Sequence, residues 1–304
     1  MQISKDKFQI VGSKAYDAEK ISKPSLSFWK DVSIRFRKNK LAMFGVVLLI
    51  LLIFMAIFGP HMTEHDYRSN DYTNTNKAPS SEHWFGTDDL GRDVFARTWF
   101  GARISLFIGV AAALVDFFIG VFYGGLAGYK GGRTDDAMMR FADILWGVPY
   151  LLLVILLMVV LGQGVGTMIL AMTITGWINM ARIVRGQVLS LKNQEFVLAS
   201  RTLGADLPRI MSKHLIPNTM GPILVTMTLS VPSAIFTESF LSYLGLGLTP
   251  PLASWGTMAS DGLPALKYYP WRLFFPATFI CLTIFAFNVI GDGLRDALDP
   301  RLRK

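Results

Sequence analysis

Three polar side chains stand inside long apolar stretches of this sequence, where a polar group needs a specific partner or water. Asp116 lies near the middle of one stretch, Glu238 near the end of another, and Asn288 within the last. A charge at the centre of a bilayer costs about 3 kcal/mol or more unless it is paired, protonated or hydrated. We predict that Asp116 either lines a water-filled path or makes a structural hydrogen bond. Glu238, which we expect to be exposed, and Asn288, which could bond across helices, are weaker candidates for the path.

Patterns for catalysis or metal binding are scarce. The sequence contains no His-Glu-x-x-His and no Gly-x-Ser-x-Gly, which argues against an intramembrane enzyme. His61, His65 and His83 fall in one polar stretch, and imidazole suits nickel. Because His61 follows Pro60 and no helix aligns it with His65, we predict loop histidines without a metal. Neighbouring charged residues are predicted to cap turns and form local ion pairs: Asp88, Asp89, Arg92 and Asp93.

The apolar stretches indicate the class of protein. The chain has 304 residues, of which 52% are hydrophobic and 17% charged, against about 25% charged in ordinary globular chains. The first stretch, Leu41 to Phe58, has no charge, and at about 1.5 Å per residue its helix would be about 27 Å long, enough to cross the hydrocarbon core. We predict an all-α membrane protein with six transmembrane helices. The predicted spans are 41–58, 105–127, two within 144–181 separated by the glycines of 162–166, 215–237 and 273–291.

Lysine and arginine are divided unevenly between the segments that join these spans. With the N-terminus inside, 23 of the 30 basic residues fall in inner segments and 7 in outer segments. Because cytoplasmic segments carry the excess of basic residues, we predict that the N- and C-termini are cytoplasmic. The net charge of +8 is thereby explained by the flanks of the spans. No nucleic-acid-binding motif accompanies it, so no nucleic acid partner is predicted.

The segment between the fourth and fifth predicted spans, residues 182–217, is too long for a simple turn. Apolar spacing predicts a helix from Gln187 to Leu203, and Gly204 then suits a left-handed C-cap. Asp206 suits the N-cap of a second short helix with Pro208 in its first turn. Small side chains leave one face of the first helix shallow, which favours docking into a groove on another protein. A solvated basic loop is the alternative.

This segment resembles the cytoplasmic coupling loop of binding-protein-dependent ABC importer permeases, whose pattern is E-A-A, three residues, G, nine residues and I-x-L-P. Leu198 stands where the pattern has Glu, and His214 stands where it has Ile. The His-x-x-Pro-Asn form is similar to the peptide and nickel branch. The resemblance implies that the loop seats on an ATPase subunit and transmits its closure to the spans. The residues it assigns to this role are Leu198, Ala199, Ser200, Arg201, Gly204, Ala205, His214 and Pro217.

Other segments carry the same resemblance, and it looks closest to the C subunits of oligopeptide permeases. His83–Asp93 and Gly101–Leu106 are similar to the outer segment of peptide permeases, and Leu241–Gly247 and Asn288–Pro300 also fit. The resemblance implies a type I ABC importer permease fold. It also implies a division of the chain into a leader with a basic interfacial helix (1–40), a first span with its outer loop (41–100), a transmembrane domain (101–291) that contains the coupling loop (182–217), and a tail (292–304).

The resemblance further implies a set of partners in a bacterial cell membrane. These are a second homologous permease, two ATPase subunits, an extracellular or periplasmic peptide-binding protein, membrane lipid and a peptide substrate. The sequence contains no G-x-x-x-x-G-K-[ST], so ATP and Mg are expected on the ATPases and no cofactor or catalysis on this chain. Dipeptides, glutathione or nickel are alternative cargoes. A stand-alone secondary transporter would require an internal repeat with paired broken helices, which the sequence lacks.

Glycine recurs every four residues at the end of the second predicted span, at Gly120, Gly124 and Gly128. This spacing puts all three on one helix face and permits a close helix crossing. The crossing helix could belong to this subunit or to the partner permease.

Overall fold

The computed structural model describes residues 27–299, which form α-helices joined by turns and loops. Within these residues there are eleven α-helices. Their bounds are α1 (Phe28–Lys38), α2 (Lys40–Phe58), α3 (Val94–Lys130), α4 (Gly132–Gly147), α5 (Tyr150–Leu161), α6 (Val165–Leu191), α7 (Glu195–Thr202), α8 (Leu207–Ile210), α9 (Ile216–Leu241), α10 (Trp255–Gly262) and α11 (Trp271–Leu298).

Helices long and apolar enough to cross a membrane confirm the all-α membrane class. There are five among the described residues: α2 with the turn after it, α3, α6, the continuous helix through α8 and α9, and α11. The third predicted span is not a straight helix, because α4 and α5 meet at 78° and only as a pair count as a sixth candidate. α5 has 12 residues, about 18 Å of helix against a hydrocarbon core of about 30 Å. The bend follows from Pro149, which forces Val148 before it into an extended conformation (ψ 129°).

The second span is longer than predicted at both ends. α3 begins at Val94, where the Asp93 carboxylate accepts a hydrogen bond from the Ala96 amide at 2.7 Å. The search for charge-free stretches excluded this first part because it contains Arg97 and Arg103. The fold accommodates both arginines through hydrogen bonds. Arg103, for example, donates through Nε to the Ala56 carbonyl at the end of α2 at 2.6 Å.

The helix predicted from Gln187 to Leu203 is wrong, because two helices occupy this stretch. α6 ends at Leu191 and α7 begins at Glu195, with Gln194 extended between them (ψ 150°). Lys192 in the break donates through Nζ to the carbonyl of Gly128 at the end of α3, at 2.8 Å. A tertiary contact therefore holds the chain where it turns away from the spans.

The glycine face of α3 packs against α6 of the same chain. A Cβ on Gly124 would lie 2.1 Å from the Ala181 carbonyl oxygen, and one on Gly120 would lie 2.5 Å from the Met180 Cβ. A Cβ on Gly128 would lie 2.9 Å from the Arg185 carbonyl oxygen. The crossing is thus the one within the subunit, and it requires glycine because the neighbouring atoms are largely backbone.

Glu238 is completely buried, which corrects the expectation that it is exposed near the end of its span. Its carboxyl oxygens accept hydrogen bonds from Ser242 of the following turn (3.1 Å), from Ser254 before α10 (2.5 Å) and from Ser105 of α3 (3.3 Å). Ser105 Oγ in turn accepts the amide of Trp255 at 3.1 Å. A local hydropathy pattern could not show this, because two of the three hydroxyls come from other elements.

A basic helix is present in the predicted place as α1, which packs beside α2 and α11 and buries Val32, whereas its position at the membrane interface stays a prediction. Asn39 then caps α2 by accepting the Ala42 amide at 3.1 Å. The rest of the leader, residues 1–26, and the last part of the tail, residues 300–304, lie outside the described residues. The predicted division of the chain into four segments stays a prediction.

Replacing Gly124 with Leu should prevent α3 and α6 from meeting, since even the Cβ would overlap backbone atoms of α6. We expect overpacking of about 3 kcal/mol or more, seen as a loss of monodisperse protein on size exclusion after purification in detergent. Gly166→Leu is the matched control, because no atom lies within 4 Å of its Cβ position. Equal yields of the two variants would contradict the requirement for glycine where α3 crosses α6.

Replacing Glu238 with Ala should leave the hydroxyls of Ser105, Ser242 and Ser254 without their shared acceptor. We expect a loss of about 3 kcal/mol, because each buried unsatisfied group costs about 1–3 kcal/mol. The measurement is the thermal unfolding midpoint of the purified protein. Glu238→Gln keeps one acceptor oxygen and should lose less, and Glu64→Ala on the exposed surface should change nothing. An unchanged midpoint for Glu238→Ala would refute this account.

Candidate functional site

A cavity of about 800 Å³ opens between α3, the bend from α4 to α5, α6 and α9. Its wall is mixed, with apolar side chains beside hydroxyl, amide and carboxylate groups. The polar side chains on it are Asp116, Tyr150, Thr175, Asn179, Thr226, Ser230, Ser233 and Thr237. Among the described lining residues there is no Lys, Arg, His or Glu, so Asp116 is the one carboxyl group on the wall.

Asp116 lies on this wall at the α3–α6 seam. A Cβ on Gly176 of α6 would lie 2.4 Å from the Asp116 Oδ2, so the carboxyl group fits only because residue 176 is glycine. The Asp116 Oδ1 is buried and has no hydrogen-bond partner among residues 27–299. The predicted alternative, a structural hydrogen bond, therefore finds no partner within the described chain, whereas the cavity position agrees with a path role, which stays a prediction.

A row of hydroxyl groups runs along the cavity face of α9. Thr226, Ser230, Ser233 and Thr237 each donate to the carbonyl four residues earlier, at 2.8 to 3.3 Å. Because the hydroxyl hydrogen is engaged with the backbone, the oxygen of each group presents lone pairs to the cavity. The wall of α9 is therefore a series of hydrogen-bond acceptors, suited to N–H donors.

The other two predicted path residues do not line the cavity. Glu238 is fully buried among seryl hydroxyls, as described above, and does not line this cavity, so its role in the path stays a prediction that these contacts do not support. Asn288 of α11 is half-buried and absent from the cavity wall.

The sequence prediction missed the hydroxyl row and Gly176. The spacing of four, three and four residues from Thr226 to Thr237 puts the hydroxyls on one face of a helix. That spacing was readable, but hydroxyl groups do not interrupt an apolar stretch and so drew no attention. Gly176 carries no signal in the sequence, because its importance depends on an Asp from another helix.

A second candidate site is the turn between α7 and α8, which protrudes from the ends of α3 and α6. Gly204 has φ +82°, the left-handed C-cap predicted for it, and Asp206 accepts the Arg209 amide at 3.2 Å as the predicted N-cap. Beneath the turn, Val197, Ile210 and Leu215 are fully buried in one apolar cluster with residues of α3 and α6. The turn is consequently fixed to the spans.

The outer side of this turn is apolar and uncovered. Phe196, Leu198 and Leu203 have 42%, 45% and 88% of their surface exposed. Exposed apolar side chains grouped on one protrusion are typical of a protein-binding surface. Ala199, Gly204 and Pro217 are exposed as well, whereas Ala205 packs on the apolar cluster and Arg201 stacks over the Tyr129 ring at 5.8 Å.

Ser200 and His214, which both differ from the general pattern of the coupling loop, meet each other. The Ser200 Oγ and the His214 Nε2 are 3.2 Å apart. This hydrogen bond ties α7 to the π-helical turn Met211–Leu215, which joins α8 to α9. Pro217 explains that turn, since a proline removes one helical N–H and crowds the carbonyl four residues before it.

One helix thus runs from the exposed turn to the cavity. From Leu207 to Leu241 the chain is one continuous helical run through α8, the π-helical turn and α9, about 50 Å long. Its first turn, capped by Asp206, belongs to the exposed turn, and its middle carries the hydroxyl row. A displacement of the turn therefore has a continuous path to the cavity wall.

The prediction that the histidines between α2 and α3 are loose loop residues is wrong for His83. His83 is only 5% exposed, and its Nδ1 lies 2.8 Å from the Asp93 Oδ2. Its ring stacks on His65, with 4.4 Å between the centroids. His61 is exposed, as expected of a loop residue. The predicted turn caps and ion pairs are confirmed, for example by Arg92 Nε and Asp88 Oδ2 at 2.7 Å.

Two family models match the chain. Residues 120–304 match the binding-protein-dependent transport system inner membrane component, and residues 27–79 match the N-terminal TM domain of oligopeptide transport permease C.

Two curated relatives match over nearly their whole length. The chain is 69% identical over 302 residues to the oligopeptide transport system permease protein OppC of Bacillus subtilis, covering 99% of both chains. It is 60% identical to the dipeptide transport system permease protein DppC of the same organism, covering all of this chain and 95% of that protein.

A solved structure supports the fold. The inward-facing MetNI methionine ABC transporter has a chain that matches with a TM-score of 0.54 and 18% identity, over 66% of this chain and 94% of that one. At this identity the likeness concerns the fold alone, which is that of an ABC importer permease. The chain therefore belongs to the family of binding-protein-dependent transport system inner membrane components, as a multi-pass membrane permease.

Proposed function

We propose that this chain forms half of a pathway that carries oligopeptides across a bacterial cell membrane, driven by separate ATPase subunits that seat on the turn between α7 and α8. The observation that carries the proposal is the continuous helix from this turn to the cavity wall. A permease that borrows its energy needs such a link, because the force arises on a partner and the work is done at the cavity.

The chemistry of the cavity suits a peptide. Backbone N–H groups of an extended peptide are neutral donors, and the hydroxyl oxygens of α9 are acceptors spaced along one face. Asp116 can attract a terminal ammonium group, and the apolar part of the wall tolerates varied side chains. None of these contacts selects one side chain, which agrees with a cargo defined by its backbone.

The choice between peptide lengths depends on the relatives. The relative named for oligopeptides is 69% identical and the one named for dipeptides 60%. Dipeptides are therefore the second candidate cargo, and glutathione and nickel, which share this permease branch by resemblance, are more remote.

The proposed mechanism is alternating access. ATP and Mg are bound by two ATPase subunits and not by this chain, and their closure moves α7 and α8 as one body with the apolar cluster beneath them. Movement of α8 carries α9, so the cavity changes the side on which it is open. A second, homologous permease completes the pathway, and a binding protein outside the cell delivers the peptide.

Uptake into vesicles tests this function. The importer, with its partner permease, ATPases and binding protein, is reconstituted and supplied with a labelled tetrapeptide, a labelled dipeptide and nickel in parallel. ATP-dependent accumulation of the tetrapeptide supports the proposal. Accumulation of the dipeptide alone would move the function to the second candidate, and accumulation of nickel alone would refute peptide import.

Gly204→Val should abolish association with the ATPase subunits. A β-branched residue at φ +82° is strained by about 1–3 kcal/mol, so the turn must change shape while the spans remain intact. The measurement is co-purification of the ATPases with the permease. Gly166→Val at the opposite end of α6 is the control, since its Cβ meets nothing within 4 Å. Normal co-purification of Gly204→Val would count against the docking role.

Asp116→Asn should lower the rate of peptide uptake about tenfold, because a charge-assisted hydrogen bond exceeds a neutral one by about 1–1.5 kcal/mol. ATPase co-purification should not change. Asn288→Ala is the matched control, since Asn288 lies away from the cavity wall. Unchanged uptake by Asp116→Asn would make this residue structural.

A further inference from the structure

Three potential metal ligands lie close together in the segment between α2 and α3. None of them lines the cavity or belongs to the turn between α7 and α8. A ring nitrogen of His65, a carboxylate oxygen of Glu82 and a ring nitrogen of His83 all lie within 4.8 Å of one another. We propose that they bind one divalent transition-metal ion, for which Zn²⁺ is the best match. This site is separate from the proposed transport function and does not depend on it.

The first support is an unsatisfied nitrogen. The His83 Nε2 is buried and has no hydrogen-bond partner among residues 27–299, although the side chain is about 95% buried. A buried polar atom left unpaired costs about 1–3 kcal/mol. Coordination would satisfy it, because neutral imidazole is a common ligand of zinc.

The second support is the orientation of that ring. The His83 Nδ1 is bonded to the Asp93 Oδ2 at 2.8 Å, which leaves the unpaired Nε2 as the ring nitrogen that is free to bind a metal. A carboxylate behind a ligating histidine is the usual outer contact of a zinc site, where it fixes the ring and raises its basicity. The Asp93 carboxylate is fixed in turn, since its Oδ1 caps α3 through the Ala96 amide.

The three ligand atoms, which lie within 4.8 Å of one another, must come together around one ion by rotation of side chains. Ligands about 2.0–2.2 Å from tetrahedral Zn²⁺ lie about 3.3 Å apart. His83 is held in place by Asp93, whereas Glu82 is exposed and His65 half-buried, so these two side chains can rotate. The His65 ring must leave its stack on His83 in this rotation, because an imidazole nitrogen binds a metal in the plane of its ring. Two nitrogens and one carboxylate oxygen suit zinc and not Mg²⁺, which prefers oxygen ligands. The fourth position is left for water.

The consequence is a crosslink within the loop. A bound ion would join the start of the segment, at residue 65, to residues 82–83 and, through Asp93, to the first turn of α3. Zinc would then order the segment on the predicted outer face of the membrane.

The test is zinc binding by the full-length permease in detergent, purified without a histidine tag. Calorimetric titration with Zn²⁺ alone should give one ion per chain, and zinc should raise the thermal unfolding midpoint. His65→Ala and Glu82→Gln should each weaken binding by at least about 100-fold, since loss of even an outer contact costs about 10–100-fold. His61→Ala, an exposed histidine of the same segment, should bind normally.

Several results would overturn the proposal. They are a wild-type chain that binds no zinc, binding that survives both ligand variants, an equal loss in His61→Ala, or an equal response to Mg²⁺. Because the two ligand variants alter partly open side chains, their own unfolding midpoints without metal should match the wild type.

Discussion

The close crossing of α3 and α6 is the constraint on which the rest of this fold depends. Three glycines on α3 let its backbone touch that of α6, and the same face continues to Asp116, whose carboxylate occupies the space left by Gly176. At the other end of the crossing, the Lys192 Nζ donates to the Gly128 carbonyl, where the chain leaves α6 for the turn between α7 and α8. One packing contact therefore sets both the cavity wall and the starting point of the turn.

Buried polar side chains among the described residues are mostly paired, and two of the exceptions lie at the sites of interest. Glu238 is surrounded by hydroxyls, and Asp135 forms a double hydrogen bond with Arg185. Asp116 and the Nε2 of His83 instead have unpaired buried atoms. The first faces a large cavity and the second faces two potential metal ligands. An unpaired buried group destabilises the fold, and at these two positions a bound ligand would pair it.

In the proposed mechanism, transmission of movement from the turn between α7 and α8 to the cavity requires rigid connections at both ends of this turn. The apolar cluster under Val197 and Ile210 packs the turn against α3 and α6, and the Ser200–His214 hydrogen bond joins α7 to the π-helical turn before α9. The π-helical turn before Pro217 keeps the helix continuous where a proline would otherwise break it.

The sequence by itself determined the features that depend on local chemistry. Apolar length indicated the spans, glycine indicated the left-handed C-cap at Gly204, and Asp206 indicated the helix that follows. The glycine spacing predicted a close crossing, although not its partner. Tertiary structure alone decided the burial of Glu238, whose partner Ser105 is 133 residues away, the pairing of His83 with Asp93, and the position of Asp116 on a cavity. The physical reason is that caps and helix periods are set by neighbours in sequence, whereas burial and hydrogen bonding of a side chain are set by elements that only folding brings together.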